Sequence, residues 1–204
     1  MNKRDEILLV TLELAAERGL GNVSLSQIAK RVGLQKTSLY SHFSSKEDII
    51  SSLYDFLRER AKEANEIGPI DYGRLVRGRS AVDILQGAVE KYRQITRDSD
   101  MRMFYRFIMS ERMFNKEAAR IMVKETERMI LATKQLFYAM QVHKVMSFAN
   151  VDQAALAFAM TIHALLDYEN DKQFADQVDV GQQIADYIHY FCELHQGGEI
   201  GREQ

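Results

Sequence analysis

Apolar residues recur at spacings of three and four along most of the chain, and no stretch keeps the strict alternation of a half-exposed strand. This period predicts helices at roughly 4–19, 25–32, 36–42, 46–66, 81–97, 101–113, 117–141, 151–170 and 178–195. The single proline, Pro69, stands in a glycine-rich stretch, so we expect a break between two segments there. The predicted fold class is all-α.

Several predicted helices begin at a residue that can cap them. In a capping box, a side-chain oxygen accepts a hydrogen bond from a backbone amide of the first turn, three residues further on. The pairs with this spacing are Ser24 with Gln27, Ser44 with Glu47, and Asn150 with Gln153.

The segment from Ser24 to Phe43 has the spacing of a helix-turn-helix. Gly33 can supply the left-handed residue of the turn, and Leu39 and Phe43, four residues apart, form the inner face of the second helix. Apolar residues of the preceding helix would complete a core of three helices. We therefore expect a small N-terminal domain built around this motif.

The outer face of the second helix carries closely spaced hydrogen-bonding side chains. Such side chains can reach base edges and phosphates in the DNA major groove, and lysine beside a helix start can bind a phosphate. The alternative is an ordinary polar face exposed to solvent. The candidate DNA-binding residues are Ser24, Ser26, Gln35, Lys36, Thr37, Ser38, Tyr40, His42 and Lys46.

Charge is distributed unevenly, although the formal net charge of the chain is only -2. Basic residues outnumber acidic ones up to Lys46, whereas acidic residues predominate from Met146 onward. A polyanion would be repelled by the acidic end, so the charge pattern places a DNA-binding site in the N-terminal part.

Residues 4–50, RDEILLVTLELAAERGLGNVSLSQIAKRVGLQKTSLYSHFSSKEDII, resemble the N-terminal domain of the TetR family of bacterial transcriptional regulators. The resemblance implies that Lys36, Thr37, Ser38, Tyr40, His42 and Lys46 contact operator DNA. It also implies a helix-turn-helix domain over 1–48, followed over 49–204 by a helical domain that binds a small-molecule effector and forms a homodimer. Gln35 and Thr37 depart from the residues common in the family, which leaves the base preference open.

The region from Met101 to Met160 contains every methionine except Met1, together with many aromatic residues. Methionine adapts to irregular shapes, so such an interior suits a pocket for apolar ligands, although simple core packing is the alternative. The predicted ligand-binding residues are Tyr92, Phe104, Phe107, Met122, Met129, Met160 and His163.

The last two predicted helices each have an apolar face. Two such helices from each subunit would form a four-helix bundle, whereas the alternative is that they complete the core of a monomer. The predicted dimer interface consists of Ala155, Phe158, Ile162, Leu166, Ile184, Ile188 and Phe191.

Metal, cofactor and catalytic sites are not expected. His189, Cys192 and His195 recur every three residues, but successive helical steps spread them over a wide arc. His163 and Asp167 are one turn apart and fit a hydrogen-bonded pair better than an acid-base site. No phosphate loop or nucleophile elbow is present in the sequence, so an enzyme is disfavoured.

A single cysteine, and the absence of a signal peptide or an apolar run long enough to span a membrane, favour a cytoplasmic location. The combined expectation is a ligand-responsive regulator, most simply a repressor, that binds a palindromic operator as a homodimer and is released by an apolar or amphipathic effector. The alternatives are a regulator that responds to a partner protein and a small helical enzyme.

Overall fold

The computed structural model describes residues 2–65, 70–97, 99–177 and 181–195, in which every regular element is a helix. This confirms the predicted all-α class. The helices are α1 (Lys3–Arg18), α2 (Leu25–Val32), α3 (Lys36–Leu39), α4 (Lys46–Asn65), α5 (Tyr72–Val76), α6 (Ala81–Arg97), α7 (Ser99–Glu111), α8 (Lys116–Val142), α9 (Val151–Phe174) and α10 (Gln182–His195), with a 3₁₀ turn at Leu20–Asn22.

Contacts divide the chain into two compact units. Unit 1 comprises Met1–Gly68 and Ile95–Glu125, and unit 2 comprises Pro69–Gln94 and Thr126–Gln204. Helices α4 and α7 both pack on α1 within unit 1. The domain boundary expected between residues 48 and 49 stays a prediction, and the break expected at Pro69 lies outside the described residues.

The turn between α2 and α3 has the predicted geometry. Gly33 has φ 73° and ψ 29°, the left-handed conformation that a residue without Cβ adopts at little cost. Ser24 and Gln27 form the expected capping box, since the Gln27 amide donates to the Ser24 hydroxyl and the Ser24 amide donates to the Gln27 side chain. The second helix then packs inward through Leu39 and Phe43, which are both buried.

Helix α3 is shorter than predicted. It ends at Leu39, and the chain continues in hydrogen-bonded turns in which the amides of His42 and Phe43 both donate to the Leu39 carbonyl at 3.0 Å. The apolar period alone could not show this, because a tight turn keeps Leu39 and Phe43 on the same side as a regular helix would.

The cap expected from Ser44 and Glu47 was wrong by one residue. Ser45 is the capping residue of α4, since its hydroxyl accepts from the Asp48 amide at 3.1 Å. The Asp48 carboxylate in turn accepts from the Ser44 amide at 2.8 Å and from the Ser44 hydroxyl at 3.0 Å. Two adjacent serines offered both registers, and the local geometry selects the second.

The core of unit 2 is built around aromatic rings. Phe137 stacks on Phe148 with ring centres 4.7 Å apart and also contacts Phe158 and Phe191. Asn150 caps α9 as predicted by accepting from the Gln153 amide at 3.0 Å. The short helix α5 was missed by the apolar period, because it contains Gly73 and depends on a local cap from Asp71.

No described helix combines the length and apolarity needed to cross a membrane.

Candidate nucleic-acid interface

The polar residues predicted to bind DNA lie at the surface of unit 1. Helix α3 and its following turn keep Leu39 and Phe43 inside, so the residues between them point outward. Tyr40 is 52% exposed, which leaves an aromatic ring and a hydroxyl available to a partner. Ser24, Ser26, Gln35, Lys36 and Thr37 are also exposed, whereas Ser38, His42 and Lys46 are half-buried.

The first turn of α4 lies directly after this surface in the chain. Lys46 is the first residue of α4, so it lies at the positive end of the helix dipole. Hydrogen bonds from the Ser44 amide and hydroxyl hold the pKa of Asp48 below its ordinary value, and the charge of Arg4 lowers it further. The carboxylate therefore remains ionised and fixes the loop that carries Ser44.

Helix α3 and the turns that follow it, residues 36–43, are called the α3 segment. Arg4, which the sequence patterns did not single out, lies against the end of this segment. Its guanidinium donates to the His42 carbonyl at 2.6 Å and to the Ser52 hydroxyl at 2.8 Å. The same group lies 4.1 Å from the centre of the Phe43 ring. These contacts join α1, the α3 segment and α4 within unit 1.

Comparisons with known proteins bear on the same surface. Residues 7–53 match the tetR family of bacterial regulatory proteins, a range that contains α2, α3, their turn and the start of α4. Residues 7–53 thus form a TetR-family domain.

The similarity to curated relatives extends over part of the length of each relative. The Vibrio cholerae nucleoid occlusion factor SlmA is 30% identical over 99 residues, which cover 48% of this chain and 50% of that protein. The Mycolicibacterium smegmatis transcriptional repressor KstR2 is 40% identical over 57 residues, 28% of each chain. This chain thus spans half or less of the length of either relative.

A solved structure extends the similarity to the whole fold. A transcriptional regulator from Saccharomonospora viridis in complex with choline has a TM-score of 0.64 at 21% identity, covering 93% of this chain and 95% of that one. At this identity the comparison concerns the fold alone, and it shows that the helices after residue 53 share the fold of that regulator.

The residues predicted to line an effector pocket fall into both units. Phe104, Phe107 and Met122 are buried in the core of unit 1. Tyr92, Met129 and His163 are half-buried in unit 2, and Met160 of that unit is 43% exposed. Their convergence on one pocket stays a prediction.

Tyr54 of α4 is a polar residue that the sequence reasoning missed. Its side chain is 3% exposed, its ring lies 5.5 Å from that of Phe107, and its hydroxyl has no hydrogen-bond partner among the described residues. Burial raises the pKa of Tyr54, and the carboxylates of Glu111 and Glu117 raise it further. The phenol therefore stays protonated and remains a hydrogen-bond donor inside the core.

An open cleft of about 540 Å³ lies beside α4 in unit 1. Its lining differs from the predicted pocket and mixes acidic and basic side chains: Asp55, Phe56, Arg58, Glu59 and Lys124. This lining is more polar and more charged than that of most sites for apolar ligands.

The residues predicted for the dimer interface are buried within the single chain. Ala155, Phe158, Ile162, Leu166, Ile184, Ile188 and Phe191 all belong to the core of unit 2. The other apolar side chains that α9 and α10 leave exposed include Leu156, Met160, Tyr190 and Leu194. A dimer interface on α9 and α10 would therefore be formed by these exposed residues.

Cys192 is buried, and burial raises the pKa of its thiol to about 11. Such a thiol is a poor nucleophile and a poor metal ligand at neutral pH. No group of histidine, cysteine and carboxylate side chains among the described residues is arranged to hold a metal ion.

Proposed function

We propose that this TetR-family protein is a transcriptional regulator, most simply a repressor, that binds a palindromic DNA operator as a homodimer and is released by a small apolar or amphipathic effector. The observation that carries the proposal is the exposed polar face of the α3 segment, held outward by the buried Leu39 and Phe43. Bacterial DNA lies in the cytoplasm, so the proposal includes a cytoplasmic location.

The DNA contacts divide into two kinds. Gln35 and Thr37 are exposed and neutral, so we assign them to base edges in the major groove. Lys46 carries a charge at the start of α4, and we assign it to a phosphate, as we do the exposed hydroxyls of Ser24 and Ser26 at the start of α2. Phosphate contacts position the protein, and base contacts determine which sequence it prefers.

A homodimer is proposed because a palindromic operator has two half-sites about one DNA turn, roughly 34–36 Å, apart. A second copy of the chain is the occupant that fits the exposed apolar residues of α9 and α10. Leu156 and Met160 are four residues apart on α9, as are Tyr190 and Leu194 on α10, so each pair lies on one side of its helix. Isologous packing of these pairs would bury all four from both copies.

The effector is proposed to bind in unit 1 beside Tyr54. The apolar side chains of Phe104, Phe107 and Met122 supply an adaptable environment, and the Tyr54 hydroxyl supplies one donor without a partner among the described residues. An effector with a carbonyl or ether oxygen satisfies that donor. The carboxylates of Glu111 and Glu117 interact electrostatically with the Tyr54 hydroxyl. Their negative charge would repel an anionic effector at this position.

Release from DNA follows from the continuity of α4. This helix begins at Lys46 beside the DNA-binding surface and carries Tyr54 in the core. An effector that binds better when α4 is displaced lowers operator affinity by its own preference for that state.

DNA selection tests the central proposal. Purified protein is expected to enrich an inverted repeat from a randomised duplex library, with half-site centres about 10 base pairs apart. Light scattering of the enriched complex should give two protomers for each repeat. Enrichment of no sequence would overturn the proposed function, and a single half-site bound by one protomer would overturn the dimer.

Tyr54→Phe tests the effector site. Because the hydroxyl has no partner among the described residues, its removal should leave the unliganded protein as stable as the wild type or more stable by about 1 kcal/mol. A thermal-shift screen would compare apolar ketones and esters with hydrocarbons of the same shape. In the wild type the oxygen should strengthen binding by roughly two- to tenfold, the value of one hydrogen bond, and in Tyr54→Phe this advantage should vanish.

The control for this screen is Tyr138→Phe, which removes an exposed hydroxyl that bonds Asp152 in unit 2. It should respond to each compound as the wild type does. An oxygen advantage that persists in Tyr54→Phe would place the effector elsewhere.

A response to a partner protein is the second candidate. The similarity to SlmA, a nucleoid occlusion factor, extends over 99 residues, beyond the segment that matches the family domain. A protein of this kind would be stabilised by no small molecule in the screen and would still select DNA. The thermal-shift screen therefore distinguishes the two candidates.

A further inference from the structure

Arg4 makes three different contacts although it lies at the surface. One guanidinium nitrogen donates to the His42 carbonyl at 2.6 Å, and the other donates to the Ser52 hydroxyl at 2.8 Å. The guanidinium carbon also lies over the Phe43 ring, 4.1 Å from its centre. The partners are 38 and 48 residues away in the chain, so this side chain ties the start of α1 to both the α3 segment and α4.

The His42 carbonyl is a sensitive point of the α3 segment. Regular helix stops at Leu39, and the turns that follow leave backbone carbonyls without the next helical amide. A charged donor at 2.6 Å stabilises this carbonyl more strongly than a neutral donor would. The bond therefore fixes the direction in which the chain leaves the α3 segment, and with it the orientation of Tyr40 and His42.

Ser52 extends the connection to the start of α4. Its hydroxyl accepts from Arg4 at 2.8 Å and lies 3.4 Å from Asp48, to which it donates. Asp48 in turn holds the amide and hydroxyl of Ser44. One hydrogen-bonded chain thus runs from Arg4 through Ser52 and Asp48 to the loop that precedes Lys46.

We propose that Arg4 is a positioning residue for DNA recognition: it holds the α3 segment at a fixed orientation on α1 and α4 and acts through this geometry instead of through a phosphate. The inference rests on the proposed DNA-binding function. Arginine suits the role because its planar group reaches two acceptors in fixed directions while it covers a ring, whereas lysine offers a single ammonium.

The experiment measures affinity for the duplex enriched by the wild type, across a series of salt concentrations. Arg4→Met should weaken binding by about tenfold, in line with loss of a charge-assisted hydrogen bond, and the slope of log affinity against log salt should stay that of the wild type. Arg4→Lys keeps the charge but should rescue little of the affinity. A residue bound to a phosphate would behave in the opposite way, since its removal lowers the slope by about 1 per subunit and lysine restores it.

Ser52→Ala supplies an independent variant, because it removes the α4 partner without changing charge. It should weaken binding in the same direction as Arg4→Met, and the double variant should lose less than the product of the two single effects. Arg31→Met is the matched control: that arginine pairs with Glu13 and Glu17 of α1, so its removal should leave the orientation of the α3 segment unchanged.

Thermal unfolding of each variant separates positioning from loss of the fold. If Arg4→Met does not fold, Ser52→Ala and Arg4→Lys carry the test. The positioning role is overturned if Arg4→Met binds DNA with wild-type affinity, or if it lowers the salt slope and Arg4→Lys restores it. Neither result would contradict the proposed function as a transcriptional regulator. Failure of the wild type to enrich any duplex overturns the proposed function and this inference together.

Discussion

Phe107→Ala is expected to reduce the free energy of unfolding by about 3–5 kcal/mol, the usual cost of deleting a fully buried ring. Phe107 is 0% exposed in the core of unit 1, and its ring lies 5.5 Å from that of Tyr54. The lost ring would leave a cavity that surrounding helices fill only in part. Urea denaturation followed by circular dichroism measures the change.

Phe114→Ala is the matched control for this measurement. This substitution removes the same kind of side chain at a site that is 90% exposed, so the free energy of unfolding should change by less than about 0.5 kcal/mol. Equal costs at the two positions would contradict the packing of unit 1 around Phe107. The size of the expected loss also makes Tyr54→Phe, which preserves volume, the better probe of effector binding.

Lys46→Ala and Thr37→Ala are expected to impair DNA binding in different ways. Removal of the Lys46 charge should release fewer counterions on binding and reduce the slope of log affinity against log salt by about 1 per subunit. Thr37 is neutral, so its loss should leave the slope nearly unchanged and relax preference at one or two base pairs by about 1–3 kcal/mol. Salt titration and binding to a randomised version of the enriched duplex provide the two measurements.

The two assignments can fail separately. If Lys46→Ala altered base preference with an unchanged slope, Lys46 would be a base-reading residue. A lowered slope with unchanged preference in Thr37→Ala would place Thr37 near the phosphates. Gln35→Ala serves as a second neutral comparison and should behave as Thr37→Ala does, at a different base pair.

Most helices could be predicted from the sequence because their signals are local. The apolar period of α2, the capping box of Ser24 and Gln27, and the left-handed turn at Gly33 each act within a few residues. Local signals failed where two registers were equally available, as at Ser44 and Ser45, or where a short helix depended on one cap, as at Asp71. Helix content was therefore predictable to within a few residues, and so were the caps at Ser24 and Asn150, whereas those at Ser45 and Asp71 were not.

The outer face of the α3 segment also followed from the sequence, since Leu39 and Phe43 leave only one side for the polar residues between them. Helix α9 shows the limit of this reasoning. Apolar residues occur all around it, so the period could not separate the buried Phe158 and Ile162 from the exposed Leu156 and Met160. Which side faces the core depends on the helices that pack on it.

The sequence by itself determined the all-α class, the helix-turn-helix and its polar face, because short-range hydrogen bonds and the helical period depend only on neighbouring residues. Tertiary structure alone decided that Arg4 reaches His42 and Ser52, that the Tyr54 hydroxyl is buried, and which apolar side of α9 stays exposed. These features join residues far apart in the chain, so they arise only when the helices pack, and no local pattern encodes them.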